Sequence, residues 1–498
     1  MSILKKLAGQ TVIYGLTTIV GRFLNYLLTP LHTSIFPAAD FGIITEMYAY
    51  IAVLNVIYTY GMETAYFRFA TKDTSQSIKV YNNSLSIVLI SSLFFSGLIY
   101  FFANPIATLL DYPAQGNIVK WIAAILALDA IVAIPFARIR LLNKVYLFAG
   151  AKISSIFLNI FFNIFFLMIC PLVATEGRMV WMHDFVMSFY KPEHSIAYVF
   201  VANLLSNLAY LPFLIPSFRG LRLTINFPQL KEMLVYGFPI LIMGIAGTVN
   251  EMFSRIMLKE LLPNNFYEGQ SSETALGIFG ACYKMAVFMT LAIQAFRFAS
   301  EPFFFSNAKD KNAPELFAKV MKYFVIVCMV IFLLVSVNKD FFAHILIKRD
   351  EYMQGLGIVP ILLMAYVFMG IYFNLSIWYK LTDKTYWGTI IAIIGAIVTV
   401  VVNYIMIPLW GYQGSVWATF FCYFAMAVIS YVIGQKYFPI PYPLYSILGY
   451  MAVGVCLLMY FSSMHLSGVQ QFLVGNGFVL AYVLIVFSTD NYLKNHNL

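Results

Sequence analysis

Long apolar runs separated by short polar breaks dominate the chain. A bilayer core about 30 Å thick needs roughly 20 helical residues, and fourteen of the runs reach that length. The pattern therefore predicts an all-α polytopic membrane protein. The predicted spans lie at about 7–36, 41–71, 81–103, 118–143, 146–171, 195–218, 232–262, 275–305, 314–338, 352–379, 385–409, 414–436, 442–463 and 468–490.

Composition and charge agree with this interpretation. Of the 498 residues, 61% are hydrophobic and 11% charged, against about 25% charged in a soluble domain. With the N-terminus inside, 19 of the 31 basic residues fall at cytoplasmic ends of spans and 7 on the opposite side. Because Lys and Arg favour cytoplasmic loops, both termini are expected in the cytoplasm. The net charge of +9 therefore does not imply nucleic-acid binding.

The chain also contains a weak internal duplication. The second span opens with Phe41-Gly42-Ile43 and the eighth with Leu276-Gly277-Ile278. The two spans end in the similar segments GMETAYFRFATKD (61–73) and QAFRFASEPFFFSNAKD (294–310). Six spans return a chain to the same side, so the repeats would be parallel about an axis normal to the membrane. The predicted domains are an N-terminal lobe at 1–219, a C-terminal lobe at 220–437 and a final helix pair at 438–498.

Arg22 lies near the middle of the first span, where a basic side chain costs about 2.5–3.5 kcal/mol. Thr18, Arg22, Asn25 and Thr29 share one helical face. One interpretation is a cavity wall in which Arg22 binds a substrate phosphate and Asn25 lines the site, since guanidinium matches phosphate bidentately. The other is that a carboxylate on a neighbouring helix, with Asp129 at a suitable depth, neutralises Arg22.

Further basic residues lie inside the seventh and eighth spans. Arg255 is four residues after Glu251, so an intrahelical ion pair competes with a role in lining the substrate pathway. Lys284 lies about ten residues into the eighth span, too deep for complete snorkelling to the surface. A cavity role is favoured for Lys284, with ion pairing as the alternative.

Other charged residues suggest gates or ion coupling. Gate or interface ion pairs are predicted at Glu63, Arg68, Glu251, Arg297 and Glu301. Arg138 and Arg140 are interpreted as positive-inside anchors, or as a cavity mouth that gathers an anionic headgroup. Glu46 and Asp129 are candidates for a coupling-ion site, because a carboxylate binds Na⁺ or carries a proton.

Catalytic and cofactor signatures are missing from the sequence. The cysteines form no CxxC pair and the histidines no HxxxH or HExxH spacing, so no metal site is expected. No GxxxxGK[ST] motif occurs, which argues against ATP hydrolysis by this chain. The longest break between spans, about 172–194, is short for an enzyme domain. We therefore expect a transporter without a bound cofactor.

Two segments carry a family resemblance. They are KKLAGQTVIYGLTTIVGRFLNYLLTPLHTSIFPAADFGIITEMY (Lys5 to Tyr48) and YGFPILIMGIAGTVNEMFSRIML (Tyr236 to Leu258). With two six-span lobes and a final helix pair, the chain resembles the multidrug/oligosaccharidyl-lipid/polysaccharide (MOP) exporter superfamily. Within it, the chain looks like the polysaccharide transporter branch, the O-antigen and related lipid-linked oligosaccharide flippases.

The resemblance implies a V-shaped pair of lobes around a central cavity. It also implies alternating access that moves an undecaprenyl-diphosphate-linked glycan from the cytoplasmic to the outer leaflet of the bacterial inner membrane. Arg22, Arg255 and Lys284 match the family's cavity walls. The implied partners are the lipid-linked glycan, membrane lipids, a glycan polymerase and glycosyltransferases, with Na⁺ or H⁺ coupling.

Two other functions compete with this one. A multidrug and toxin extrusion antiporter of the same superfamily exports cations and should offer carboxylates to its cargo. The deep charges of the first, seventh and eighth spans are three basic groups and one carboxylate, which disfavours that function. A membrane glycan polymerase or ligase should have a sizeable outer loop with catalytic side chains, and the predicted loops are short.

Overall fold

The computed structural model of the chain describes residues 19–21, 24, 26–175, 180–219, 221–308 and 310–495. Regular secondary structure within these residues is helical throughout, which confirms the predicted all-α class. The first eleven helices are α1 (Leu28–Ile35), α2 (Ala38–Thr59), α3 (Met62–Lys72), α4 (Ser77–Phe101), α5 (Ala103–Leu109), α6 (Gly116–Leu141), α7 (Val145–Ile164), α8 (Cys170–Thr175), α9 (His183–Met187), α10 (Ser195–Leu208) and α11 (Tyr210–Phe218). The others are α12 (Phe227–Leu261), α13 (Ser272–Tyr283), α14 (Val287–Asn307), α15 (Ala313–Val337), α16 (Lys339–Leu346), α17 (Val359–Leu375), α18 (Ile377–Leu381), α19 (Tyr386–Trp410), α20 (Tyr412–Tyr437), α21 (Leu444–Ser463) and α22 (Gly468–Asn495).

Many of these helices have the length and apolarity needed to cross a membrane. In the described part of the chain there are 12 such spans, or 13 when the bent pair Pro192–Leu208 and Tyr210–Phe218 is counted as one. Half of the predicted first span, 7–36, falls outside the described residues. The chain is a multi-pass membrane protein, as the apolar pattern predicted.

The chain divides into two compact units. Unit 1 comprises Met1–Leu31 and Ile43–Met252, and unit 2 comprises His32–Gly42 and Phe253–Leu498. The division falls within α12, whereas the sequence pattern placed a boundary between 219 and 220. The predicted lobes and separate final helix pair stay a prediction.

Two breaks shape the helices of unit 1. Tyr60 and Gly61 separate α2 from α3 with positive φ angles of 32° and 73°, the left-handed region that favours glycine. The bent pair α10–α11 turns by 42° after Leu208. Pro212 explains that bend, because a proline ring clashes with the carbonyl four residues earlier.

In unit 2, the eighth span is interrupted between α13 and α14. Residues Lys284–Ala286 form a short 3-10 segment at that point. Such a tight turn within a long helix often marks a hinge or a functional position. Here it falls on a lysine that the sequence had already singled out.

The final helices α21 and α22 pack on α15 within unit 2. Gly454 of α21 packs against the Met329 side chain of α15, whose terminal methyl lies 2.6 Å from the position of an added Cβ. Asn338 and Asn476 exchange amide hydrogen bonds of 3.3 and 3.2 Å. Polar links of this kind add to van der Waals packing between membrane helices.

Candidate functional site

The predicted substrate-binding residues are only partly described. Arg22 and Asn25 lie outside the described residues. Arg255 and Lys284 are both described, and unit 2 brings them together although 29 positions separate them. Arg255 and Lys284 therefore form a basic cluster in unit 2.

Arg255 and Lys284 meet where α12 passes the break in the eighth span. Arg255 is 8% exposed, and Lys284 is the first residue of the 3-10 segment. Arg255 lies over the ring of Tyr283, the residue directly before Lys284, so the two basic residues are neighbours in space. Neighbouring basic side chains can bind an anionic group through charge-assisted hydrogen bonds.

Aromatic side chains surround the basic pair. The Arg255 guanidinium carbon lies 4.3 Å from the centroid of the Tyr283 ring. The hydroxyl of Tyr283 forms a short hydrogen bond with the hydroxyl of Tyr366 on α17. Tyr366 in turn packs against Tyr423 of α20, with ring centroids 6.1 Å apart. Three helices thus supply one aromatic scaffold beneath the guanidinium.

A second cluster, in unit 1, surrounds Asp129. Asn207 of α10 donates a hydrogen bond of 2.9 Å from its amide to the Asp129 carboxylate. The same amide also reaches the Asn203 oxygen at 3.2 Å, and Asn203 donates to the Tyr48 hydroxyl at 3.3 Å. Hydrogen bonds between side chains therefore connect Asp129 of α6, through Asn207 and Asn203 of α10, to Tyr48 of α2.

Lys152 of α7 supplies positive charge beside this cluster. Its ammonium lies 4.5 Å from the ring centroids of both Phe136 and Tyr210, a cation–π arrangement that fixes its position. Its charge also acts on the Asp129 carboxylate. The sequence analysis had counted Lys152 only as one of the basic residues at cytoplasmic ends.

Glu46, the other coupling-ion candidate, lies deep in unit 1. It is 0% exposed, and its carboxylate accepts a hydrogen bond of 2.5 Å from the Tyr112 hydroxyl. Glu46 and Asp129 are thus held by different partners, and both remain candidates for ion coupling.

The residues at the predicted cavity mouth make specific contacts in unit 1. Arg140 forms an ion pair with Glu63 that joins α6 to α3. Arg138 donates a hydrogen bond of 3.1 Å to the Ser217 carbonyl, and its guanidinium lies 4.3 Å from the Tyr81 ring centroid. Both arginines therefore connect helices of the same unit.

The remaining gate candidates are dispersed. Arg68 lies 4.2 Å from the centroid of the Tyr236 ring in unit 1, and the Glu251 side chain is exposed. Arg297 lies 4.0 Å from the centroid of the Phe373 ring in unit 2. The Glu301 carboxylate accepts a hydrogen bond of 2.6 Å from the Lys380 ammonium. Glu63 and Glu301 thus form ion pairs with basic residues outside the predicted gate set, Arg140 and Lys380.

Most neutral polar residues inside the spans were not predicted as part of a site. Asn203 and Asn207 are four apart in an apolar helix, which places them on one face. Thr399 and Asn403 repeat this spacing in α19. The Asn403 amide donates a hydrogen bond of 3.0 Å to the Ser254 hydroxyl. Pairs of polar residues four positions apart inside apolar spans are the sequence signal for such residues. With the exception of Asn25, the predicted site residues were all charged.

Comparisons with known proteins add to this picture. The MatE family profile matches residues 264–405, and no curated protein matches the sequence. The fold is similar to the lipid II flippase MurJ in an inward closed conformation, at 14% identity, with a TM-score of 0.70 and 100% of both chains covered. It is also similar to an inward-facing multidrug resistance MATE family transporter, at 13% identity and a TM-score of 0.62, covering 83% of this chain and 93% of that one.

A third similar structure is a MOP superfamily transporter from Pyrococcus furiosus, described as having a binding pocket of reversed polarity. It matches at 13% identity and a TM-score of 0.53, covering 86% of this chain and 95% of that one. The fold of the chain is therefore similar to that of several multi-pass membrane transporters. The MatE match to residues 264–405 and the shared fold both agree with the resemblance drawn from the sequence.

Proposed function

We propose that the chain is a flippase for a lipid-linked oligosaccharide. Its substrate would be an undecaprenyl-diphosphate-linked glycan, moved from the inner to the outer leaflet of the bacterial cytoplasmic membrane by alternating access. The product would serve surface polysaccharide biosynthesis, such as that of O-antigen. In this proposal the protein belongs to the polysaccharide transporter branch of its superfamily and has both termini in the cytoplasm.

The observation that carries the proposal is the proximity of Arg255 and Lys284. A diphosphate carries enough negative charge to contact both basic side chains, and a guanidinium binds it through parallel hydrogen bonds. An organic cation would be repelled by the same pair. Arg22 and Asn25 are kept as proposed substrate contacts, to be tested by the same kind of substitution.

The extent of the structural similarity also supports a flippase. The likeness to MurJ covers 100% of this chain, whereas the two MATE family and MOP transporters cover 83% and 86% of it. A multidrug or cation antiporter is the second candidate, and the MatE match to residues 264–405 favours it. A membrane glycan polymerase or ligase is a weaker alternative.

Substitution of the basic pair tests the function directly. The full-length protein is reconstituted into vesicles with an undecaprenyl-diphosphate-linked oligosaccharide, and flipping is measured by enzymatic access to the glycan. Arg255→Ala and Lys284→Ala are each expected to lower the flipping rate by about tenfold or more, since each removes a charged contact to the diphosphate. Lys120→Gln is the matched control, because Lys120 also lies over a tyrosine ring, 5.6 Å from that of Tyr100, but in unit 1.

The result also separates the candidates. Wild-type rates in both alanine variants would disprove the charged-site mechanism. Efflux of an organic cation without glycan flipping would identify an antiporter instead. In cells, deletion is expected to cause a lipid-linked glycan intermediate to accumulate in the inner leaflet. The proposed partners are glycosyltransferases, which would act before this protein, and a glycan polymerase, which would act after it.

The proposed transport cycle includes coupling to a Na⁺ or H⁺ gradient. Asp129 supports this role, because its carboxylate is held by a neutral amide and lies in the field of Lys152. Glu46 is the alternative carboxylate. A reconstituted flipping rate that is indifferent to both gradients would argue against coupling.

A further inference from the structure

An arginine side chain loses about 2 kcal/mol of conformational freedom when it is fixed. A contact that holds the Arg255 guanidinium in place before an anion arrives reduces this cost of binding.

Tyr283 provides that contact through the face of its ring. The guanidinium carbon of Arg255 is 4.3 Å from the ring centroid, within the range of a favourable cation–π interaction. Tyr283 is 8% exposed and is the last residue of α13, directly before Lys284. The same turn of chain thus carries one cation and the ring that holds the other.

Tyr366 fixes the orientation of the Tyr283 ring. The Tyr366 hydroxyl forms a hydrogen bond with the Tyr283 hydroxyl, and Tyr366 is 1% exposed. The rings of Tyr283 and Tyr366 meet edge to face, with centroids 6.0 Å apart, and the Phe279 ring centroid lies 5.5 Å from that of Tyr283. A ring that packs against two aromatic neighbours and is hydrogen-bonded through its hydroxyl has little freedom to rotate.

We propose that Tyr283 and Tyr366 are positioning residues that hold the Arg255 guanidinium beside Lys284 to receive the anionic diphosphate of the substrate. This assignment rests on the proposed function. Tyr366 acts only through Tyr283, and Tyr283 acts through Arg255. A site that is preorganised in this way binds its ligand without first ordering a long side chain.

The first test measures the position of Arg255 without any substrate. Phenylglyoxal modifies free guanidinium groups, and peptide mass spectrometry gives the rate for each arginine in the purified full-length protein. Tyr283→Leu is expected to raise the labelling rate of Arg255 about tenfold, and Tyr366→Phe about threefold. Arg68, which lies over Tyr236 in unit 1, should keep its rate and serves as an internal control.

The second test measures binding of undecaprenyl diphosphate to the protein in lipid nanodiscs. Tyr283→Leu should weaken binding about tenfold. Tyr283→Phe and Tyr366→Phe should each weaken it about threefold, and the double variant should lose no more than either single one. In an Arg255→Ala background, Tyr366→Phe should have no further effect. Tyr482→Phe removes another buried hydroxyl, on α22, and should bind as the wild type does.

The two tests fail in different ways. Unchanged labelling of Arg255 in Tyr283→Leu and Tyr366→Phe overturns the positioning role, whatever the protein transports. Increased labelling with unchanged binding overturns it too, since the guanidinium would then be held for another purpose. If the wild type binds no undecaprenyl diphosphate and Arg255→Ala behaves identically, the proposed function is wrong and the diphosphate role falls with it.

Discussion

Gly42 and Gly277, from the similar segments Phe41-Gly42-Ile43 and Leu276-Gly277-Ile278, pack reciprocally within unit 2. A Cβ on Gly277 would overlap the Ala38 carbonyl oxygen and lie 3.0 Å from the Gly42 nitrogen. A Cβ on Gly42 would overlap the Glu273 carbonyl oxygen. Each glycine therefore allows the backbone of the other segment to approach, as small residues do between membrane helices.

This contact predicts that both glycines are required for stability. Gly277→Ala or Gly42→Ala should destabilise the folded protein by about 1–3 kcal/mol, because backbone atoms rather than flexible side chains must move. Thermal unfolding in detergent would show a lower Tm for each variant. Gly97→Ala is the matched control in α4, since nothing lies within 4 Å of its added Cβ. Equal Tm values for all three variants would contradict the tight crossing.

The apolar periodicity was sufficient to predict the spans, because bilayer thickness sets helix length regardless of tertiary contacts. It did not predict the internal breaks. Pro212 gives a local signal for the bend after Leu208, since its ring clashes four residues back. The 3-10 turn at Lys284 contains neither proline nor glycine. That break depends on packing that no local pattern records.

The candidate site was predictable as far as its charges were concerned. Arg255 and Lys284 stood out because a basic residue deep in a span is costly, and unit 2 brings them together. The aromatic scaffold was not predictable, because tyrosines are numerous in the chain and nothing distinguishes Tyr366 from the other 33. Similarly, the contacts of Lys152 were not predictable, because its cation–π partners come from two different helices.

The ion pair of Glu63 and Arg140 should contribute modestly to stability. The side chains are 37% and 34% exposed, so neutralising either one should cost about 0.5–1 kcal/mol. Glu63→Gln and Arg140→Gln would each lower the Tm slightly, and the double variant should lose less than the sum. If the pair also acts as a gate, the single variants will change the flipping rate more than the Tm. Additive losses of stability would show that the two groups do not interact.

Lys152 should compete with a coupling cation for Asp129. Removing its charge in Lys152→Gln should lower the Na⁺ or proton concentration needed for half-maximal flipping by about tenfold. Asp129→Asn should abolish the ion dependence, and Lys120→Gln should leave it unchanged. The measurement is the reconstituted flipping rate against Na⁺ concentration and pH. Retained ion dependence in Asp129→Asn would leave Glu46 as the coupling candidate, tested in the same way with Glu46→Gln.

Lys322 and Asp490 connect α15 to the final helix α22. The two side chains form an ion pair and are only 14% and 7% exposed, and Asp490 also accepts a bond of 3.1 Å from the Tyr323 hydroxyl. Substituting one partner leaves the other charge buried, which typically costs about 3–5 kcal/mol. Asp490→Asn or Lys322→Met should therefore lower the Tm strongly in detergent.

The double variant Lys322→Met/Asp490→Leu should regain most of this loss, because apolar side chains often replace a buried ion pair without penalty. Lys319→Gln, an exposed position one turn earlier on α15, should change the Tm little. Limited proteolysis should release α22 more readily from the single variants than from the double variant. A double variant as unstable as the single ones would mean that Asp490 is required for its bond to Tyr323, and that the ion pair does not dock the final helix.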